Sequence, residues 1–317
     1  MAEPGVSQND APHIRVLPQG AGMEGRGPAH PACGARWADI VVDEKANGAG
    51  VAWPIVGDKQ HDSPSVFRPE ALLREARRQR ELAAIAVPAI CMLDPDGDVV
   101  RYLKRTGAGR IHEGWACYHT ELLAFDLDGI GEVGIVGCAV GAPFAVLVAE
   151  QLFASGCRLL VSVTSAGQIN PIGPTPYFVL IDRALRDEGT SYHYLPGSTF
   201  AEAPDTSLLD RIERAGRSLP EKLHRGSTWT TDAPYRETEA AIARARDLGT
   251  LAVEMEAAAL YAFSATSGHP VVCFAHVTNS MAQTEGDFEK GEADGAKATL
   301  AVVAAAARGW SVTPTAS

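Results

Sequence analysis

The sequence has no surplus of positive charge: 28 lysines and arginines stand against 39 aspartates and glutamates, a formal net charge of −11 over 317 residues. This argues against a nucleic-acid surface, which depends on clustered cations to displace counterions. It has no long apolar run either. Ala142 to Ala154 and Thr299 to Ala307 are too short or too alanine-rich to span a bilayer, which takes about 20 apolar residues. The six cysteines form no CxxC pair, and several sit inside apolar runs, so buried free thiols are expected rather than disulfides or a metal site. Met1 to Gly34 is polar and rich in Gly and Pro, unlike a secretory leader, and the expected address is the cytoplasm. Nine histidines include no HExxH or similar ligand set, so no metal is expected. The glycine turn after Val133 to Val136 is neither a dinucleotide GxGxxG nor a P-loop's Gly-Lys followed by Ser or Thr, and the sequence has no GxSxG elbow, which leaves dinucleotide and P-loop chemistry at that turn, and elbow-serine chemistry, without support.

What is present reads as a globular chain, with 46% hydrophobic and 21% charged residues. Residues 1–35, rich in Pro, Gly and Ala without periodicity, are expected to form a disordered tail. Residues 36–84 are expected to be an extension with a helix over Arg68 to Leu82, opened by Pro69. From there, over 85–310, strands and helices alternate. Strands are expected at Val87 to Leu93, Val133 to Gly137, Leu159 to Val163, Tyr177 to Ile181, Ser227 to Thr231, Leu251 to Val253 and Val271 to Val277. Between and after them, helices are expected at Phe144 to Ser155, Asp205 to Arg217, Glu237 to Asp247, Glu256 to Thr266 and Asp294 to Arg308. Nearly all-apolar strands separated by helices imply a sheet covered on both faces, hence an α/β fold with one main domain.

In such sheets ligands gather beyond the strand ends, where loops and helix N-termini offer unpaired N–H groups. The turn Gly137-Cys138-Ala139-Val140-Gly141 is by itself a tight corner, and Thr164-Ser165-Ala166-Gly167 has the hydroxyls and glycine of an anion nest or of a plain turn. Glu254-Met255-Glu256 carries more. Two carboxylates between an apolar strand and a small-residue helix are costly without partners, and favourable placement at a helix N-terminus explains one more easily than two. One carboxylate on a sugar diol, with methionine against the sugar face, explains the trio.

Taken in order, these segments resemble the nucleoside phosphorylase family, which includes uridine phosphorylase and related purine enzymes. The likeness covers residues 85 to 308. It rests on Val136 to Pro143, Thr164 to Gly167, Glu188 to His193, Thr230 to Arg236 and Val253 to Glu256. It implies a central mixed, barrel-like sheet flanked by helices, and homodimers or trimers of dimers. It implies phosphorolysis of a nucleoside to base and ribose 1-phosphate, with no cofactor beyond phosphate as co-substrate. Glu256 would hold the hydroxyls and Met255 the sugar face, with Glu254 beside them. Tyr235 and Arg236, with Asp232, would face the base, and Ser165, Gly167 and Cys138 would line the anion site. Asn279 stands where purine-specific relatives place an aspartate that protonates the base. The likeness fails at phosphate. Gly97 and Ser162 stand where the family has arginines, and Tyr118 or His119 where the neighbouring subunit gives a third, so Arg101, Arg105 or Arg110 would have to compensate. Two alternatives follow: a hydrolase with Asp94 or Asp96 as general base, or a non-catalytic nucleoside-binding protein.

Overall fold

The computed structural model describes residues 57, 59–281 and 285–311; the expected tail at 1–35 lies outside these residues. Helix α1 (Pro69–Arg80) starts with proline in its first turn and ends at Glu81 in the left-handed region. It packs on α3 (Ala142–Ala154), burying Leu73 and Ala76. Strand β1 (Ile90–Asp94) is wholly buried and leads into α2 (Asp98–Thr106). The short β2 (Arg110–Ile111), then β3 (Leu123–Leu127) and β4 (Gly131–Gly137), form an antiparallel edge.

Beyond α3 come β5 (Leu159–Gln168), β6 (Tyr177–Asp187), β7 (Phe200–Glu202), α4 (Thr206–Ala215) and β8 (Leu223–Thr231). The described chain closes with α5 (Glu239–Asp247), β9 (Ala252–Glu254), α6 (Ala257–Ser267), β10 (Val271–Asn279) and α7 (Ala296–Ser311). The ten strands make one mixed sheet. Its path is β10-β6-β8-β9-β5-β1-β4-β3-β2, and β10 also pairs with β5, so five strands close into a barrel while β1 to β4 extend from β5 as a flap. Helix α6 is apolar all round and buried from Ala257 to Ser264, as a helix inside the core must be.

The mixed, barrel-like sheet flanked by helices is the expected architecture. One expected loop is corrected: Thr164 to Gly167 is the end of β5. Ser165 pairs with His276 and Gly167 with Asn279 on β10, while β9 pairs with Gly167 on the other edge, so the ladder continues where hydroxyl and glycine composition suggested a turn. Helix α2 and strands β2, β3 and β7 were not expected.

Candidate active site

Long β5 gathers the site. It runs past the end of β1, and antiparallel β9 descends along its last residues, pairing Val253 with Gly167. The end of β9 therefore comes back beside Ser165. Across the sheet the order is β1, β5, β9, β8, so the segment after β1 and the segment after β8 flank the Glu254 to Glu256 trio from opposite sides. Between them lies a cavity of about 410 Å³.

The trio opens α6, and its two glutamates do different work. Glu254 is saturated. Its carboxylate accepts from the Thr228 hydroxyl at 3.1 Å, the Thr230 hydroxyl at 2.5 Å, and the N–H groups of Glu256 at 2.7 Å and Ala257 at 2.8 Å. Two of those donors are otherwise-orphaned amides of the helix start. Glu256, 1% exposed, accepts from the Gly141 N–H at 2.7 Å, which ties it to the turn after β4, and from the Met255 N–H at 3.3 Å. Burial first, then the charge of Glu254, pushes the Glu256 carboxyl up to about 8. Met255 and Glu256 both line the cavity.

At the β1 side the Ser165 N–H and hydroxyl both donate to Asp96, each at 2.8 Å. The donors expected to hold an anion thus hold the protein's own carboxylate. Lys290, which also lines the cavity, bonds Asp98 at 2.5 Å and stands 3.8 Å from Asp96. Gly97 adopts φ 75°, and a Cβ there would lie 2.7 Å from the Cys138 sulfur and 2.9 Å from a guanidinium nitrogen of Arg101. Glycine is the residue this approach allows, and an arginine would displace both neighbours. Cys138, at φ 62°, carries a left-handed backbone on a side chain, a conformation found at few non-glycine residues.

The β8 side and the end of β10 form the remaining wall. Gly167 permits a close packing there: a Cβ would lie 2.5 Å from the Met281 sulfur. Asn279 is buried and engaged, its Oδ1 accepting from the Met281 N–H at 2.9 Å and its Nδ2 donating to the Thr278 hydroxyl at 3.2 Å. Tyr235, 99% exposed, lines the mouth together with Phe288. Glu237 faces the same cavity, and burial lifts its carboxyl to about 7.

Of the expected residues, Glu254, Met255, Glu256, Asp96, Ser165, Gly167, Tyr235 and Asn279 line one cavity. Others stand outside its lining, and each position has a physical cause. Asp94 is buried under α2, where it accepts from the Val100 N–H at 2.9 Å and caps the helix; burial raises its carboxyl to about 6. As a general base it is withdrawn from the cavity. Asp232 accepts from the Gly189 N–H at 2.9 Å. Arg236 and His119 are exposed, and the Cys138 sulfur turns toward Gly97. The arginines expected to compensate do not reach in: Arg101 pairs with Asp98, Arg105 lies over the Tyr102 ring, and Arg110 pairs with Glu132. Glu237, Lys290, Met281 and Phe288 were not foreseen. The adjacency of Glu237 to Tyr235 was the one signal for it. Among the described residues no group of three or more His, Cys, Asp or Glu is placed to hold a metal, and no helix is long and apolar enough to cross a membrane.

A closed five-strand barrel in a larger mixed sheet, whose strand ends meet at a carboxylate-lined cavity, defines a protein built to enclose a small polar ligand. The chain belongs to the phosphorylase superfamily, whose family model matches residues 89–309. It is 30% identical over 137 residues to a DeoD-type purine nucleoside phosphorylase of Bacillus cytotoxicus, covering 43% of this chain and 58% of that protein. A DeoD-type purine nucleoside phosphorylase of Bacillus cereus matches to the same extent. The chain thus spans just over half the length of these curated relatives. Among solved structures, uridine phosphorylase of Vibrio fischeri in complex with 6-hydroxy-1-naphthoic acid shares the fold with a TM-score of 0.60 at 18% identity, over 72% of this chain and 93% of that one. A second structure of the same phosphorylase gives a TM-score of 0.59 at 20% identity, over 71% and 94%.

Proposed function

We propose that this protein cleaves the N-glycosidic bond of a nucleoside. The observation that carries the reading is Glu256: one buried carboxyl, anchored by the Gly141 N–H, beside Met255 on the cavity wall, with Glu254 spent on holding the helix start. In glycosyl transfer the sugar becomes cationic at the transition state. A preorganised carboxyl on the ribose hydroxyls is then worth more in the transition state than in the ground state, and the developing charge draws out its ionised form.

Phosphorolysis is the reaction the resemblance implies. A second reading, hydrolysis, is favoured by the engagement of Ser165 with Asp96. A phosphate dianion would have to displace that carboxylate, and Lys290 is already bonded to Asp98. Each missing charge-assisted bond from an arginine forgoes about 1.5–3 kcal/mol. Water suits the same geometry. Asp96 takes one of its protons as the oxygen bonds C1′, the C1′–N bond breaks with its electron pair passing to the base, and free ribose results. Either nucleophile approaches from the β1 side of the trio.

The role of Glu256 is testable on the substrate. Ribonucleosides are expected to be cleaved about 10²-fold or more faster than their 2′,3′-dideoxy analogues, which lack the hydroxyls it would bind. Equal rates, measured by chromatography of released base, would remove the sugar contact from the account.

A further inference from the structure

One carboxyl in the cavity is left without work by this reading. Glu237 follows the short turn after β8, half-buried, and its backbone N–H bonds to Pro234 at 3.3 Å. Its carboxyl has no hydrogen-bond or ion-pair partner among the described residues. Desolvating a carboxyl without compensation is costly, and evolution's usual remedy is an apolar or neutral side chain. The strand order gives the position a meaning. Asp96 and Ser165 approach the trio from the β1 side, Glu237 from the β8 side. With ribose on Glu256 and Met255, an attacking group on the first side leaves the departing base to the second, since displacement at C1′ puts them on opposite faces. Asn279, on the same wall, cannot act as an acid, and its amide is occupied by Met281 and Thr278.

We propose that Glu237 is the acid of the reaction, hydrogen-bonding the departing base and giving its proton to a ring nitrogen or carbonyl oxygen as the C1′–N bond breaks. The inference rests on the N-glycosidic reading above. The balance is simple: the bonding pair goes to the base, the proton of Glu237 neutralises it, and Glu237 is left as a carboxylate that solvent reprotonates. The ligand class is a nucleobase that leaves poorly as an anion and well once protonated. Burial holds the carboxyl near 7, within the range where a general acid is effective at neutral pH. The other ionisable groups facing the cavity are Asp96, Glu254, Glu256, Lys290 and the Tyr235 phenol, with Arg236 and Glu239 flanking in the chain; burial alone is the cause of the raised value.

Glu237→Gln keeps the shape and hydrogen bonding of the side chain and removes its proton. The test compares it with wild type on two substrates, across pH 5.5 to 9. One is whichever of adenosine, guanosine, inosine, uridine and cytidine the wild type cleaves fastest; the other is 4-nitrophenyl β-D-ribofuranoside, whose phenolate departs without a proton. The variant is expected to lose about 10²–10⁴-fold in kcat on the nucleoside with KM little changed, and to keep its rate on the aryl riboside. The wild-type loss of kcat on the nucleoside as pH rises through about 7 should vanish with it. An unchanged nucleoside rate, or equal losses on both substrates, would overturn the acid role while leaving N-glycosidic cleavage standing. If wild type cleaves neither, the underlying reading fails and this one with it. A thermal melt of the variant should match wild type, because the side chain replaced has no partner to lose among the described residues.

Discussion

Glu256→Gln is expected to lower kcat/KM on any accepted nucleoside by about 10²-fold or more, the scale for one preorganised electrostatic contact, and to leave the fold intact. The fold should survive because the amide can still accept from the Gly141 N–H, the bond that fastens the turn after β4 to the start of α6. It also lifts a burden: burial and the charge of Glu254 make ionisation of this carboxyl costly, and a neutral amide has no ionisation to resist. Glu254→Gln is a different substitution in kind. It weakens acceptance from two threonines and two helix amides, so its loss should show in the thermal melt as well as in turnover. Wild-type kinetics in Glu256→Gln would remove the residue from the site.

Asp96→Ala is expected to cost about 10²–10⁴-fold in turnover in phosphate-free buffer, the range for loss of a general base. It should also change what the protein responds to. With the carboxylate gone, the Ser165 N–H and hydroxyl are released, and Lys290 keeps its bond to Asp98. Added inorganic phosphate is then expected to restore part of the activity, with ribose 1-phosphate appearing among the products. Neutral donors and a helix or strand edge can seat an anion, though weakly and with strong salt sensitivity. Undiminished turnover in Asp96→Ala without phosphate would exclude the carboxylate as base. Tight, saturable phosphate dependence in the wild type would exclude it equally.

Much of this site was legible before any geometry, and the limit has a physical form. Glu254-Met255-Glu256 stood out because a strand-to-helix junction with two carboxylates is costly and local. From the residues alone the two glutamates are equivalent and only the resemblance singles out Glu256, since the hydroxyls that saturate Glu254 come from Thr228 and Thr230 on a neighbouring strand. The same distance in sequence hid the Asp96–Ser165 contact, 69 positions apart, and the Lys290–Asp98 pair, 192 apart. Helix α2 carries an apolar stripe of Val99, Val100 and Leu103 against Asp, Arg, Lys and Thr, but only over nine residues directly after the Asp-Pro-Asp-Gly turn, too short a stretch to be read as a helix. Thr164 to Gly167 has turn composition, and only the ladders from β9 and β10 make it a strand. Asp94 and Asp96 look alike in the Asp-Pro-Asp-Gly turn, yet the first caps α2 from the core and the second enters the cavity.

The most direct measurement is product analysis after incubating the protein with the five common ribonucleosides, with and without inorganic phosphate, by chromatography for base and by phosphorus NMR and a reducing-sugar assay for the ribosyl product. The account predicts free base from at least one ribonucleoside, with free ribose as the sugar product in phosphate-free buffer. No base released from any of the five, in either buffer, would contradict it.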